Sequence, residues 1–349
     1  MTEDQGDVIL EVRNLRKYFT RESSIVSHLF GSVENVHAVD DVSFKLRKNE
    51  VKGVIGESGC GKTTLLHLLS GLVDLTDGDI QFGDQQFSEF SRADWKAYRR
   101  NVQIIFQDPF NSLDPKMSVR ESLLEPLKIH GFDDREQRVI DALSQAELNP
   151  PEQYLNQLPR NLSGGEKQRV SIARALIVEP QIILADEPVS MLDVSTQASL
   201  LNLLSELTEK RGMSMLYISH DLSTVSYVCD EINVMYLGRI VERANTEALL
   251  QDPKHPYSQA LINAIPVPDP NAKRERTEIE ADPPDPVNIG EGCRFRDRCP
   301  DRMDICEKTP ILRRIEDGRE AACHLYYDHG ALPSEEMRES SRVNTTDKT

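Results

Sequence analysis

The stretch GESGCGKT at residues 56–63 fits the phosphate-loop pattern G-x-x-x-x-G-K-[ST]. In that pattern backbone N–H groups, a lysine and a hydroxyl surround the phosphates of a nucleotide. The short apolar run VKGVI precedes the loop, and a leucine-rich helical pattern follows it over about residues 63–72. A strand, this loop and a helix in that order predict an α/β fold with phosphates bound at the start of the helix.

Two carboxylates, Asp186 and Glu187, follow a second apolar run at residues 182–185. Alternating strand and helix patterns predict a parallel sheet that helices cover on both faces. An acidic pair at a strand end is often only solvated, but beside a phosphate loop it indicates catalysis. We expect Asp186 to orient the shell of a magnesium ion and Glu187 to polarise the attacking water.

Two more polar residues follow strand-like runs. His220 comes directly after residues 215–219, and Gln107 comes after residues 102–106. Ligands bind at the carboxyl ends of the strands in open α/β sheets, so we expect His220 to contact a γ-phosphate. The amide oxygen of Gln107 can ligate magnesium or water. Taken alone, each residue is more often structural or merely exposed.

A second glycine-rich segment, LSGGE at residues 162–166, lies far along the chain at the head of a predicted helix. Small residues and free backbone N–H groups at a helix start favour phosphate binding. The segment therefore predicts a second phosphate-binding surface.

The composition excludes several classes of protein. A formal net charge of −17 disfavours an electrostatic grip on nucleic acid or anionic lipid. No run approaches the roughly 18 apolar residues of a membrane span, and the acidic first residues do not resemble a secretory signal. We expect a cytosolic chain, or one that is attached to a membrane through a partner. Its six cysteines then indicate metal binding or chance rather than disulfides.

Composition shifts divide the 349 residues into four parts. Residues 1–265 form the predicted nucleotide-binding domain, and a mostly helical insertion occupies about 93–175. Residues 266–290 are rich in Pro, Asp and Glu and predict a linker. A four-cysteine segment follows at 291–330, and we expect the polar tail at 331–349 to be disordered.

Together these segments resemble the ATP-binding subunit of ABC transporters, over about residues 8–265. In the terms of that family the matches are residues 56–63 as Walker A, Gln107 as the Q-loop, 162–166 as the signature, Asp186 and Glu187 as Walker B with its catalytic glutamate, 190–193 as the D-loop and His220 as the switch histidine. The resemblance implies an α/β cassette with a RecA-like parallel-sheet core, an antiparallel β subdomain and a helical insertion, with a small cysteine-containing extension behind it.

The resemblance also implies which residues hold MgATP. Phe19 matches the aromatic residue that stacks on adenine, with Tyr18 as the alternative. Magnesium would be bound through Thr63, Gln107 and Asp186. Besides Phe19, the residues expected to contact ATP are Gly56, Glu57, Ser58, Gly59, Cys60, Gly61, Lys62, Thr63, Thr64 and Gln107.

In this family two ATPases form a head-to-tail dimer, so each signature completes the partner's site. The residues expected to contact the partner's ATP are Ser163, Gly164, Gly165 and Glu166. The chain alone is therefore expected to bind ATP and to turn over slowly.

Residues 106–115, 186–190 and 255–261 resemble more closely the dipeptide and oligopeptide importer ATPases, in particular the F-type subunit. This implies a paralogous ATPase or a second copy as partner, two membrane permease subunits, and indirectly an extracytoplasmic solute-binding protein. It also implies that the chain lies at the cytoplasmic face of the membrane. Similar subunits also serve importers of nickel, glutathione or sugars. The alternative is a soluble ABC ATPase of DNA repair or translation, but those generally carry tandem cassettes, long coiled coils or basic surfaces.

Four cysteines, Cys293, Cys299, Cys306 and Cys323, have the spacing C-x₅-C-x₆-C-x₁₆-C. Four thiolates can hold a small polar segment together through a metal. The tight cysteine pairs of structural zinc sites are absent, whereas iron–sulfur clusters tolerate more varied spacing. Importer subunits that match this segment are associated with a four-iron cluster, which we favour over zinc. Four reduced thiols are the remaining alternative.

Overall fold

An eight-stranded sheet forms the centre of the molecule in the computed structural model, which describes residues 8–21, 34–264, 286–287, 289–315 and 318–327. Its strands are β3 (Val51–Ile55), β6 (Val102–Ile105), β7 (Ile182–Asp186), β8 (Ser214–Ser219), β9 (Glu231–Tyr236), β10 (Arg239–Asn245), β11 (Arg313–Arg314) and β12 (Glu320–Ala321). They lie in the order β11-β12-β10-β9-β3-β8-β7-β6.

The strands from β9 to β6 pair in parallel, as the apolar runs predict. Every residue of β3, β7 and β8 is buried, because helices cover both faces of a parallel sheet. In register, Val54 pairs with Ile218, and Asp186 also pairs with Ile218 from the other side. The carboxyl ends of these central strands therefore meet at one edge.

A separate antiparallel sheet has the order β2-β1-β4-β5. Its strands are β1 (Val8–Arg21), β2 (Glu34–Arg47), β4 (Asp77–Phe82) and β5 (Gln85–Gln86). Alternate residues such as Leu10 and Val12 are buried, so one face packs on the core. These residues share an apolar cluster with Leu65 and Leu66 of the helix that follows the phosphate loop.

The helices of the described residues are Lys62–Leu69, Arg92–Asn101, Pro109–Ser112, Val119–His130, Arg135–Gln145, Gly164–Leu176, Val194–Arg211, Leu222–Val228, Thr246–Gln251 and Pro256–Asn263. Three of them, Val119–His130, Arg135–Gln145 and Gly164–Leu176, enclose a core of their own. The expected insertion of about 93–175 also includes β6, a strand of the parallel sheet. Tyr98, in the first helix of that range, packs instead against the core of the antiparallel sheet.

The C-terminal segment adds β12 and β11 beside β10, on the side of the eight-stranded sheet opposite to β6. β12 pairs with β10 and β11 pairs with β12, while Phe295 is buried in the core beside Tyr236 and Tyr257. Most of the predicted linker, namely residues 266–285 and 288, lies outside the described residues, as do residue 265 and all of residues 328–349. In the described ranges the helices are all too short or too polar to span a bilayer.

Replacing Leu143 by alanine tests the separate helical core. Leu143 is fully buried there, so the cavity should lower the free energy of unfolding by about 2–5 kcal/mol. The measurement is the urea denaturation midpoint. Leu72→Ala is the control because Leu72 is 60% exposed. Equal midpoints for the two variants would contradict this packing.

Candidate nucleotide site

The phosphate loop wraps around the amino group of its own lysine. Lys62 Nζ donates hydrogen bonds to the backbone oxygens of Gly56 at 2.7 Å and Glu57 at 3.0 Å. The Lys62 side chain is buried at the start of the helix Lys62–Leu69, which provides the positive end of a helix dipole. A cation and a helix start in one small loop provide the chemistry of a phosphate site.

Two glycines of this loop allow the backbone to approach its neighbours closely. A Cβ on Gly61 would lie 2.0 Å from the backbone oxygen of Ala38, and one on Gly56 would lie 2.1 Å from that of Met235. Gly61 also has a φ of 107°, in the left-handed region. Only glycine can hold the loop between β2 and β9 at these positions.

Asp186 ends β7 next to the phosphate loop. Burial raises the pKa of its carboxyl above the ordinary value, and a hydrogen bond from the Thr63 hydroxyl opposes that rise. The helix start of the loop and the end of β7 therefore bring together Thr63 and Asp186, two of the three residues that sequence assigns to magnesium. The third, Gln107, donates a hydrogen bond through Nε2 to Glu187. A carboxylate beside a hydroxyl supplies the oxygen ligands that magnesium prefers, so this donor set fits the ion.

Glu187 lies between Gln107 and His220. Gln107 Nε2 donates to one carboxylate oxygen of Glu187 at 2.8 Å, and His220 Nδ1 lies 2.8 Å from the other. Glu187 has a φ of 44°, and its backbone N–H donates to the Ile218 oxygen of β8. Such a conformation in a non-glycine residue is strained and is typical of functional sites. The His220 side chain remains 58% exposed, whereas that of Glu187 is only 13% exposed.

At the end of β1, the two aromatic candidates have different contacts. The Tyr18 hydroxyl donates to Asp40 at 2.6 Å, and its ring packs on His37 with 4.3 Å between centroids. Burial and this hydrogen bond raise the pKa of Tyr18 to about 12. The Phe19 ring is 40% exposed under Lys17. Phe19 therefore has the freer face for stacking.

The signature segment forms the start of the helix Gly164–Leu176. Ser163 caps this helix: its hydroxyl accepts from the Glu166 N–H at 3.3 Å, and the Glu166 carboxylate accepts from the Ser163 N–H at 2.8 Å. The same backbone hydrogen bond lowers the pKa of Glu166. Within the described chain these hydrogen bonds stay inside the segment and do not reach the phosphate loop. Ser163 is exposed, so the helix start faces outward.

Sequence reasoning missed two residues that hold the phosphate loop. The Tyr257 hydroxyl accepts a hydrogen bond from the Glu57 N–H at 2.8 Å, and the Arg298 guanidinium binds the Glu57 carboxylate with two hydrogen bonds. These residues lie 200 and 241 positions away in the chain. The arginines that lie between Cys293 and Cys299 were the available signal for Arg298, but the sequence does not identify Glu57 as its partner.

The four cysteines of the C-terminal segment gather in one neighbourhood. The backbone N–H of Cys293 donates to the Cys306 oxygen at 2.8 Å. Burial, and more weakly the neighbouring thiols, raise the pKa of Cys299 to about 11 and that of Cys323 to about 12. Nevertheless, no three His, Cys, Asp or Glu side chains of the described residues are arranged to hold a metal ion. The donor chemistry fits a metal, whereas the side-chain arrangement does not.

Comparison with known proteins assigns the family. The family model "ABC transporter" matches residues 39–190, and "Oligopeptide/dipeptide transporter, C-terminal region" matches residues 241–306. The putative oligopeptide transport ATP-binding protein YkfD of Bacillus subtilis is 43% identical over 91% of this chain and 95% of its own length. AppF, an oligopeptide transport ATP-binding protein of the same organism, is 41% identical over 93% of this chain and 100% of its own.

A solved structure shares the cassette. The ATP-binding cassette MJ0796, in a dimeric post-hydrolysis state bound to ADP and Pi, has a TM-score of 0.59 and 27% identity. It covers 68% of this chain, and the match spans 98% of that structure. The fold and site thus define an ATP-binding cassette ATPase, which binds ATP and magnesium. Within that class the chain belongs to the family of oligopeptide and dipeptide transport ATP-binding proteins.

Gly165→Ala tests the close packing behind the signature. A Cβ there would lie 2.7 Å from Cγ2 of Thr196. The clash costs about 1–3 kcal/mol, against a gain of up to about 1 kcal/mol in helix propensity. We therefore expect urea unfolding to show a lower free energy of unfolding for Gly165→Ala.

In a Thr196→Ser background, which lacks that methyl group, Gly165→Ala should no longer destabilise the protein. Gly164→Ala is the control, because its Cβ would meet Leu192 at an ordinary 3.6 Å. The same loss in both backgrounds would rule out the Thr196 contact as its cause.

Proposed function

We propose that this chain is the ATP-hydrolysing subunit that energises import of dipeptides or oligopeptides through a membrane ABC transporter. The observation that carries the proposal is the grouping of Gln107, Glu187 and His220 at the sheet edge where the phosphate loop also begins. Relatives that match over nearly their full length are named oligopeptide transport or peptide import ATP-binding proteins.

The residue roles follow from these contacts. Residues 56–64 surround the phosphates with backbone N–H groups. The Lys62 amino group then donates its hydrogen bonds to phosphate oxygens instead of to the backbone oxygens of the loop. Thr63, Asp186 and Gln107 would hold magnesium, which would neutralise phosphate charge. At the other end of the site Phe19 stacks on adenine.

Glu187 acts as the general base for water. Its hydrogen bond to His220 fixes the carboxylate, and the exposed imidazole is positioned to contact the γ-phosphate. Gln107 holds the other carboxylate oxygen. Because Gln107 lies between β6 and the following helices of the insertion, its movement links the site to the permease subunits.

The signature Ser163–Glu166 completes the site of a partner ATPase. Ser163 is exposed at a helix start that it caps through reciprocal hydrogen bonds with Glu166. The dimeric cassette bound to ADP and Pi supports such an arrangement. The partner is a paralogous ATPase, as for an F-type subunit, or a second copy of this chain.

The complex lies at the cytoplasmic face of the cell membrane. There the ATPase is peripheral, two permease subunits carry the solute, and an extracytoplasmic solute-binding protein delivers it. A net charge of −17 opposes a role on nucleic acid. Purification of a tagged chain from its native membrane tests this: permease subunits should copurify, and a soluble complex without them would contradict the proposal.

Glu187→Gln tests the assigned base. The amide cannot accept the proton of water, so turnover in the purified membrane complex should fall at least about 100-fold. ATP binding should persist and trap the closed dimer. The measurements are phosphate release and ATP retained on the complex.

Glu206→Gln is the matched control, because Glu206 pairs with Lys210 on an exposed helix face. Its turnover should equal that of the wild type. Unchanged turnover in Glu187→Gln would show that another group activates the water.

We also propose that Cys293, Cys299, Cys306 and Cys323 bind a four-iron cluster in preference to zinc. The support is the gathering of four thiols in one segment together with the absence of closely spaced cysteine pairs. Because the present side-chain arrangement does not fit a metal, loading would require the thiols to turn toward one another.

Metal analysis and the visible spectrum of one anaerobic sample test this assignment. Iron with a broad visible band should be present, and changing the four cysteines to serine should remove both. Cys229→Ser, outside the segment, should retain them. Zinc alone, or no metal in the wild type, would contradict the cluster.

A further inference from the structure

Glu57 is a carboxylate inside the proposed phosphate site, and all of its polar groups have partners. Its backbone N–H donates to the Tyr257 hydroxyl at 2.8 Å, and its backbone oxygen accepts from Lys62 Nζ at 3.0 Å. Its two carboxylate oxygens accept from Arg298 at 2.9 and 3.0 Å. The position of this residue therefore sets the path of the loop.

Arg298 has a fixed geometry on the C-terminal segment. Its side chain is only 7% exposed. Besides the two hydrogen bonds to Glu57, it donates to the Tyr236 hydroxyl at 3.2 Å. The guanidinium lies 5.7 Å from the centroid of the Tyr236 ring and 5.8 Å from that of Phe295. The planar guanidinium can form two parallel hydrogen bonds to a carboxylate and lie against aromatic rings. A lysine at this position would supply the charge but not this geometry.

The segment that carries Arg298 is anchored at a second point. Arg294 forms an ion pair with Asp40 and donates to the Leu237 backbone oxygen. Asp40 also accepts from Tyr18, next to the proposed adenine-stacking Phe19. The turn between Cys293 and Cys299 thus contacts the nucleotide site near both of its ends, and this holds Arg298 in place.

An unpaired carboxylate in this loop would repel the phosphates of ATP. Like charges in a partly buried site interact far more strongly than in water. Arg298 cancels that charge and at the same time ties the loop to β9 through Tyr236.

We propose that Arg298 is a positioning residue for ATP binding, which acts by holding and neutralising Glu57. The proposal rests on the proposed assignment of residues 56–64 as the phosphate site. It makes the C-terminal cysteine segment part of the machinery that sets the affinity of this ATPase for nucleotide.

The experiment is a double-mutant cycle on the full-length chain, with MgATP affinity measured by equilibrium titration. Arg298→Gln should raise the Kd about tenfold, because it leaves a carboxylate unpaired in the loop. Adding Glu57→Gln should restore several-fold of that loss, since the repelling charge is gone. Arg298→Lys should keep most of the affinity, because it retains the charge.

Arg302→Gln is the matched control. Arg302 also pairs with two carboxylates, those of Asp297 and Glu307, but inside the C-terminal segment. Its Kd should equal that of the wild type. Equal Kd values for Arg298→Gln and Arg302→Gln would overturn the proposal. So would a double variant that binds no better than Arg298→Gln, which would indicate a structural role only.

Lys62→Ala separates this inference from the functional proposal. If it binds MgATP as the wild type does, the phosphate site itself is wrongly assigned. If it loses binding while Arg298→Gln does not, only the role of Arg298 is wrong. Should Arg298→Gln fail to fold by circular dichroism, Arg298→Met, which also removes the charge and packs against the two rings, completes the cycle alone and with Glu57→Gln. A methionine variant that Glu57→Gln does not improve would then overturn the proposal.

Discussion

The parallel pairing of β3, β8, β7 and β6 is the constraint on which the site depends. Parallel strands end at the same edge, so residues that follow them meet although they are far apart in the chain. This edge receives the phosphate loop from β3, Asp186 and Glu187 from β7, His220 from β8 and Gln107 from β6. A shift of one strand by one residue would turn its buried residues to the opposite face.

The hydrogen bonds at this edge determine what each group can do. Lys62 is satisfied by backbone oxygens of its own loop, which phosphate oxygens can replace without leaving a buried cation unpaired. Glu187 is held by Gln107 and His220, and its backbone has a strained φ of 44°. The exposure of His220 and Ser163 is consistent with a site that needs a second subunit to exclude water.

The sequence was sufficient for the features that are local or periodic. A loop pattern between strand and helix, and apolar runs that end in polar residues, predicted the parallel core and the residues at its edge. It was insufficient for pairs formed across the fold. Nothing in the local pattern near Arg298 specifies Glu57, because the pair is formed only after the C-terminal segment docks on β9 and β10. The hydrogen bond between Tyr18 and Asp40 is likewise formed across the fold and is not specified by the local sequence pattern.

The docking of that segment also explains why its arginines lie between cysteines. The segment is too small and polar to enclose its own core, and Phe295 is its main buried anchor. Buried ion pairs contribute little net stability against desolvation, but each accepts only one arrangement of its partners. Arg294 with Asp40 and Arg298 with Glu57 therefore select one docked position from the many that an apolar contact alone would allow. The turn between Cys293 and Cys299 carries both arginines. A reaction at these two thiols therefore affects a turn that contacts the nucleotide site through Arg294 and Arg298.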